Sequence, residues 1–359
     1  MKMESPERET TVASALPVRG SAEMPQTGVC SVLVTGMGGI VGQGILKALA
    51  NTPYRVVGVD ASELAAGLYA VPRGYIVPRS KDPSYVDRLI QICVSENVRY
   101  LFLGLDMELP IISRAASRFK KAGVIPIVSS PSVVDLADDK LETVRFLQSQ
   151  GLPAPRTSDL SNRYFREFGF PLVLKPRKGG SRSLGLHIVA NEEEFLAVRP
   201  RVDPTNTVVQ EYIDGDEYTV GTVNFDGKCY GVMVMRRTLR DGDTHKAFVV
   251  RDPVIEAHVR KVAEFLQPFG PCNFQLRVRD GVPYIFEINT RCSGGTCIRA
   301  LAGFNEPLMI LNYLEHGMIP TFEVRPVSVF RYWTEIVVDS PRVSELARTG
   351  VVENRSAGF

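Results

Sequence analysis

A chain of 359 residues is long enough for two or three domains with sizeable cores. Its composition, 44% hydrophobic and 23% charged, is that of a soluble globular protein, and a formal net charge of +2 is too balanced to make nucleic acid the main partner. Six cysteines (Cys30, Cys93, Cys229, Cys272, Cys292, Cys297) scattered over this length point to reduced thiols in a cytoplasmic setting. Cys292 and Cys297 have no second pair or nearby His in the sequence to complete a zinc site.

Residues 1–27 mix Glu4, Glu7, Arg8 and Glu9 with Pro, Ser and Thr, and contain no apolar stretch of the secretory kind; a disordered tail is expected. The uncharged stretch over residues 30–46 carries five glycines and is short for a bilayer span, so no membrane segment is expected. Val32-Leu33-Val34-Thr35 predicts a short strand. It runs into the turn Gly36-Met37-Gly38-Gly39-Ile40-Val41-Gly42 and then a helix with Ile45, Leu46 and Leu49 inward. With a second strand ending at Asp60, this opens a Rossmann-type βαβ unit. Tyr85, Leu89, Ile92 and Cys93 give helical spacing over 85–96, and strands over 99–104 and 124–128 flank a further helix. The alternation argues for a parallel sheet covered on both faces. NAD(P) on the glycine turn, with Asp60 on a ribose hydroxyl, is one use of the motif; tight strand-to-helix packing is the plainer one, since no other redox pattern accompanies it.

Asp138-Asp139-Lys140 opens a helix with Leu141, Val144 and Leu147 on one side and Gly151 at its end; the first domain boundary is expected ahead of it, near Pro131. Residues 171–176 predict a strand that delivers Lys175 at its end. The basic glycine loop 177–185 follows, then a strand over 186–189. Free backbone N–H groups in such a loop can wrap phosphate oxygens; a hairpin loop with solvated lysines is the alternative. Residues 208–220 form a strand, a turn and a strand, a hinge able to offer backbone groups to a purine edge with Glu217 near ribose hydroxyls, or simply a hairpin. Strands over 217–225 and 228–235 lead to the basic cluster 236–246, either a solvated turn or a grip for an anionic substrate and its acyl phosphate. A helix over 253–267 carries the stripe Ile255, Val259, Val262 and Leu266, a helix over 306–316 closes the domain, and 327–338 reads as an added strand.

Residues 271–297 hold the most specific chemistry. Asp280-Gly281 is a hairpin dipeptide between two strand-forming runs. Alternation puts Asn273, Gln275 and Arg277 on one face, and Glu287 with Asn289 on one face of the partner run, while Phe286 and Ile288 point the other way. Closing the hairpin therefore brings Gln275, Glu287 and Asn289 together as three oxygen donors suited to Mg²⁺. Arg291, two residues on, would sit beside metal-bound phosphates. An ordinary amphipathic hairpin with a wet polar face fits the same spacing.

The motifs TGMGGIVGQGILKAL, DDKLETVRFLQSQGLPAP, FPLVLKPRKGGSRSLGL, VVQEYIDGDEYTV and CNFQLRVRDGVPYIFEINTR, in this order, resemble the ATP-grasp superfamily over residues 29–320. In detail they look most like the amino-terminal synthetase half of the carbamoyl phosphate synthetase large subunit and its short, single-module relatives. The resemblance implies an α/β protein, α+β in its ATP-grasp part, with a Rossmann-like N-terminal domain followed by a two-subdomain ATP-grasp fold. Its expected divisions are a tail over 1–27, the Rossmann-like domain over 28–131, a small subdomain with its lead-in helix over 132–210, a large subdomain over 211–325, and an extension over 326–359. It implies ATP and Mg²⁺ (or Mn²⁺) as cofactors. ATP would be held by Lys140 and Lys175, by Gly179, Gly180 and Ser181, by the hinge Glu211, Tyr212 and Ile213, and by Glu217. Gln275, Glu287 and Asn289 would ligate metal, and Arg291 would face the transferred phosphoryl group, with Arg237 and Lys246 as further catalytic candidates and His245 and Arg240 as substrate contacts. The implied activity is ATP-dependent carboxylate–amine ligation of small, amino acid-like substrates in the cytoplasm, with a homodimer as the commonest assembly for such enzymes. Two departures bear on it. Many ATP-grasp ligases have a carboxylate where this chain has Gln275, and the chain carries neither a second synthetase half nor a glutaminase-like element. A carboxyphosphate-forming synthetase subunit and a non-catalytic nucleotide-binding regulator are the alternatives.

Overall fold

The computed structural model describes residues 30–180, 184–332 and 334–354; the expected tail over 1–27 and Ser181 lie outside them. The first sheet contains β1 (Ser31–Thr35), β2 (Arg55–Asp60), β3 (Arg73–Ile76), β4 (Val98–Phe102) and β5 (Ile125–Pro126), all parallel in the order β3-β2-β1-β4-β5. Helices α1 (Ile40–Leu49), α2 (Tyr85–Ser95) and α3 (Leu109–Lys121) make the crossovers. All five residues of β1 are buried, as expected of a central strand covered on both faces. Its link to α1 needs glycine for a steric reason: a Cβ on Gly42 would come within 2.4 Å of the Gly36 carbonyl oxygen. The fourth strand is two residues shorter than its apolar run suggests, because the chain leaves the ladder before Leu103 and Gly104.

Helices α4 (Pro131–Asp138) and α5 (Lys140–Ser149) lead out of this sheet. Asp139 accepts from the Leu141 and Glu142 amides and so caps α5. The second sheet is small and antiparallel: β6 (Thr157–Asp159), β7 (Leu172–Pro176), β8 (His187–Val189) and β9 (Thr207–Glu211) in the order β6-β9-β7-β8, with α6 (Glu192–Val198) against it. Its core, built from Leu160, Phe165, Phe168, Leu172, Leu174, Val189, Phe195 and Val209, is separate from the others.

The third sheet comprises β10 (Glu217–Phe225), β11 (Lys228–Arg240), β12 (Asp243–Val250), β13 (Gly270–Arg279), β14 (Val282–Asn289) and β15 (Ser328–Phe330), antiparallel in the order β14-β13-β10-β11-β12-β15. Helix α7 (Pro253–Leu266) buries Ile255, Val259, Val262 and Leu266 against Val220, Val232, Phe274 and Ile288 of this sheet. Helices α8 (Thr296–Leu301) and α9 (Glu306–His316) pack on the opposite side and share one continuous core with α1. The strand expected over 327–338 shrinks to the three residues of β15. Beyond it the chain returns to the first sheet: α10 (Ser340–Thr349) buries Leu346, and β16 (Val351–Glu353) adds antiparallel to β3. Among the described residues no helix is long and apolar enough to cross a membrane.

Candidate functional site

Asp280 and Gly281 turn the β13–β14 hairpin in the left-handed region, with φ of 54° and 74°. The ladder sets Gln275 opposite Glu287 and Asn273 opposite Asn289. One carboxylate oxygen, Glu287 Oε1, accepts from Gln275 Nε2 at 3.1 Å and from Asn289 Nδ2 at 2.9 Å. The three expected donors therefore share one hydrogen-bonded cluster, with both amides turned nitrogen-first toward the carboxylate. The register slips just beyond: Gln275 pairs with Glu287 and Leu276 with Ile285, leaving Phe286 as the extra residue of a β-bulge. Strict alternation had turned Phe286 away from the site, and the bulge corrects this. Phe286 lines the same cleft as Glu287, and Lys175 Nζ lies 5.1 Å from its ring centre.

That cleft, open to solvent, lies between the second and third sheets. From the second sheet and its lead-in helix come Lys140, Lys175 and Gly180, and from the third Glu217, Arg237, Gln275 and Glu287. Lys175 is 5% exposed and donates to Gln210 Oε1 at 3.0 Å and to the Phe286 carbonyl at 3.2 Å. Burial, then the neighbouring Lys140 charge, push its ammonium down to about 7 against the pull of Glu287 and Glu217. Lys140 donates to the Gly179 carbonyl at 2.9 Å, and the Gly179 amide donates to Asp138, so the junction of α4 and α5 holds the base of the glycine loop. Gly179 and Gly180 both have positive φ, at 67° and 77°.

An arginine network continues the cluster. Arg237 Nη2 donates to Gln275 Oε1 and to Glu217 Oε1, both at 2.7 Å. Arg277 takes the other carboxylate oxygen of Glu217 at 3.1 Å and also reaches Tyr212 Oη at 2.8 Å and the Ile213 carbonyl at 3.4 Å. Glu211 is buried, its carboxylate on the Arg156 amide and Nε. Arg291 behaves differently from expectation. Its Nε and Nη2 grip Asp106 of the first domain at 2.6 and 2.7 Å, and its Nη1 donates to the Cys292 carbonyl.

Besides Gly179, Glu211, Tyr212, Ile213, Asn289 and Arg291, whose contacts are given above, Lys246, His245 and Arg240 are also off the cleft lining. Lys246 pairs along the ladder with Phe330 on the exposed edge of the third sheet, His245 precedes it, and Arg240 is exposed beside Asp241. Leu239 and Gly242, from the same hairpin, do reach the cleft. Sequence reasoning passed over Asp106, Gln210 and Arg277. For Asp106 a signal existed: it follows the strand next to β1, where the strand order of the first sheet reverses, which is where such sheets bind ligands. Two amides of the glycine turn are spent internally, Gly38 on Asp60 Oδ2 at 2.7 Å and Gly39 on the Gly36 carbonyl at 2.9 Å, as a packing role for the motif requires.

Known proteins match in the same pattern. Residues 203–335 match the family model "ATP-grasp in the biosynthetic pathway with Ter operon", and residues 32–127 match "PylC-like, N-terminal domain". A D-alanine--D-alanine ligase A of Bacillus cereus is 30% identical over 173 residues, 42% of this chain and 56% of that protein. A carbamoyl phosphate synthase large chain of Mycobacterium sp. (strain JLS) is 28% identical over 203 residues, 50% of this chain and 18% of that one. The chain thus spans about half the length of the ligase and far less of the synthase. Among solved structures, an L-amino acid ligase from Bacillus licheniformis superposes with a TM-score of 0.62 at 19% identity, covering 79% of this chain and 73% of that one. N5-carboxyaminoimidazole synthetase from Staphylococcus aureus, complexed with ADP, gives 0.65 at 16% identity, covering 82% and 80%. These structural likenesses speak for the fold.

Proposed function

We propose, for a chain that joins a PylC-like N-terminal domain to an ATP-grasp domain, that its activity is ATP-dependent ligation of a small carboxylate to an amine. The observation that carries this is the meeting of Lys140, Lys175, Glu217, Arg237, Gln275 and Glu287 on one cleft. In this assignment Lys140 and Lys175 approach the phosphates of ATP from two sides, the glycine loop covers them, the linker over 211–213 meets the adenine, and Glu217 takes the ribose. Glu287 with Gln275 and Asn289 fits a divalent cation: both amides already meet a single oxygen of the carboxylate, rotation of the Asn289 amide presents its oxygen, and Gln275 does the same by giving up its bond to Arg237. Mg²⁺ bound there would offset the negative charge of the phosphates. Arg291 reaches a phosphoryl group through its remaining N–H bonds or on release from Asp106.

The substrate carboxylate attacks the γ-phosphorus, the bond to the bridging oxygen breaks, and ADP leaves. The amine then adds to the acyl carbon, phosphate departs with its oxygen, and the nitrogen gives up a proton. Closure of the small domain, roughly residues 157–210, keeps water from the labile acyl phosphate; the separate core of the second sheet suits movement as a unit. A cytoplasmic homodimer acting on amino acid-like substrates completes the proposal, with solution mass as the check on assembly. The decisive experiment is a screen of amino acids and dipeptides for ADP release that requires both a carboxylate and an amine. Release driven by bicarbonate alone would favour a carboxyphosphate-forming enzyme, and ATP binding without any release would favour a regulator.

A further inference from the structure

Glu217 has a carboxylate with room for about four hydrogen bonds. Three are taken. Oε1 receives two from Arg237, Nε at 3.0 Å and Nη2 at 2.7 Å, and Oε2 receives one from Arg277 Nη2 at 3.1 Å. The remaining acceptor site therefore lies on Oε2, the oxygen that Arg277 orients. Arg277 faces Glu217 directly across the β10–β13 ladder, which by itself would be an ordinary cross-strand ion pair. What an ordinary pair does not explain is the other end of the guanidinium. Nη1 points into the linker between β9 and β10, toward Tyr212 Oη at 2.8 Å and the Ile213 and Gly215 carbonyls at 3.4 Å, and the cation sits 5.0 Å from the Tyr212 ring centre.

We propose that Arg277 is a positioning residue for nucleotide recognition: it aims the free lone pair of Glu217 at a ribose hydroxyl and locks that carboxylate to the linker that meets the base. The proposal rests on the assignment of Glu217 to the ribose. Losing the arginine leaves Glu217 pivoting on Arg237 alone, so the hydroxyl contact is the interaction that suffers. Lys140, Lys175 and Glu287 are not touched by Arg277 and keep their hold on the phosphate end.

The test is calorimetric binding of ATP, 2′-deoxy-ATP and 3′-deoxy-ATP to the full chain and to R277M and R277K, with Tm recorded for each. The native chain should prefer ATP over one deoxy nucleotide on the order of tenfold, the scale of a hydrogen bond to a charged group. R277M should weaken ATP and leave that deoxy nucleotide nearly unchanged, bringing the preference to about twofold or less, and R277K should restore part of it. An unaltered preference in R277M, an equal loss for all three nucleotides, or a native chain indifferent to both hydroxyls would overturn the proposal. Because the readout is binding, a chain that shows the preference but releases no ADP with carboxylate and amine refutes ligation and leaves the role of Arg277 standing. A chain that binds no ATP removes both.

Discussion

Glu287 is the residue on which the site's charge turns, because it is the sole carboxylate in its three-residue cluster and it gathers both amides. Glu287→Gln keeps the volume and deletes that charge from a half-buried position, so the fold should survive with an unchanged Tm. Turnover should fall by about two orders of magnitude, the scale seen when one preorganised charge-stabilising group is lost. Near-native kinetics in this variant would remove Glu287 from the mechanism. Lys175 makes a prediction of a different kind. Its pKa is held down to about 7 in the ligand-free chain, chiefly by burial. The unfolded state therefore binds more protons between that value and the ordinary lysine range, so the penalty is fully present below about 7 and is relieved as pH rises above it. Bringing a triphosphate beside the amine adds negative charge and raises its pKa again. ATP binding at pH 8 should accordingly take up protons from solution, and at pH 6, where the amine is already charged, this uptake should vanish. Calorimetry in buffers of different ionisation enthalpy reads it directly, and Lys175→Met should abolish the difference.

At the scale of elements, the linker between β9 and β10 couples the two sheets that face the cleft. Gly215 within it has φ of 121°, and a Cβ there would stand 2.1 Å from the Val278 carbonyl oxygen of β13. Gly215→Ala must therefore displace either the linker or the strand that carries Gln275 and Arg277. A cost of about 1–3 kcal/mol is expected from the backbone conformation alone, seen as a lower Tm together with weaker ATP binding. Native values for both would show the linker to be slack. Much at this scale was legible beforehand. An apolar stripe at helical spacing located α7, and alternation with an Asp-Gly turn located the β13–β14 hairpin, because these elements are long and bury one face. The bulge at Phe286 was not legible. A one-residue slip leaves no mark in a run where Ile285, Phe286 and Ile288 are all apolar, and it inverts the facing of the residue it adds. Nor could β15 and β16 be read correctly, since three residues carry too little periodicity and their partners lie far off in the chain.

Across the whole molecule, the first and third sheets are one body through the core shared by α1, α8 and α9, and the second sheet has a core of its own. Long-range pairs of this kind are invisible to local pattern: Asp106 and Arg291 stand 185 residues apart, and nothing in the sequence marks either as the other's partner. Their pairing ties the first domain to the segment after β14, with the arginine side chain 11% exposed and the aspartate 36%. Removing Asp106 alone leaves a nearly buried guanidinium with only the Cys292 carbonyl, while removing Arg291 alone leaves a carboxylate that water can still reach. The single losses should therefore be unequal, Asp106→Ala costing more than Arg291→Ala, and the double variant should cost less than their sum. The coupling should be about 1–3 kcal/mol, toward the lower end because Asp106 keeps part of its solvent. Urea unfolding of the four proteins measures it. Strict additivity would mean that the pair contributes nothing to joining the two domains, whereas coupling of the stated size makes the first domain a structural partner of the arginine assigned to the phosphoryl group.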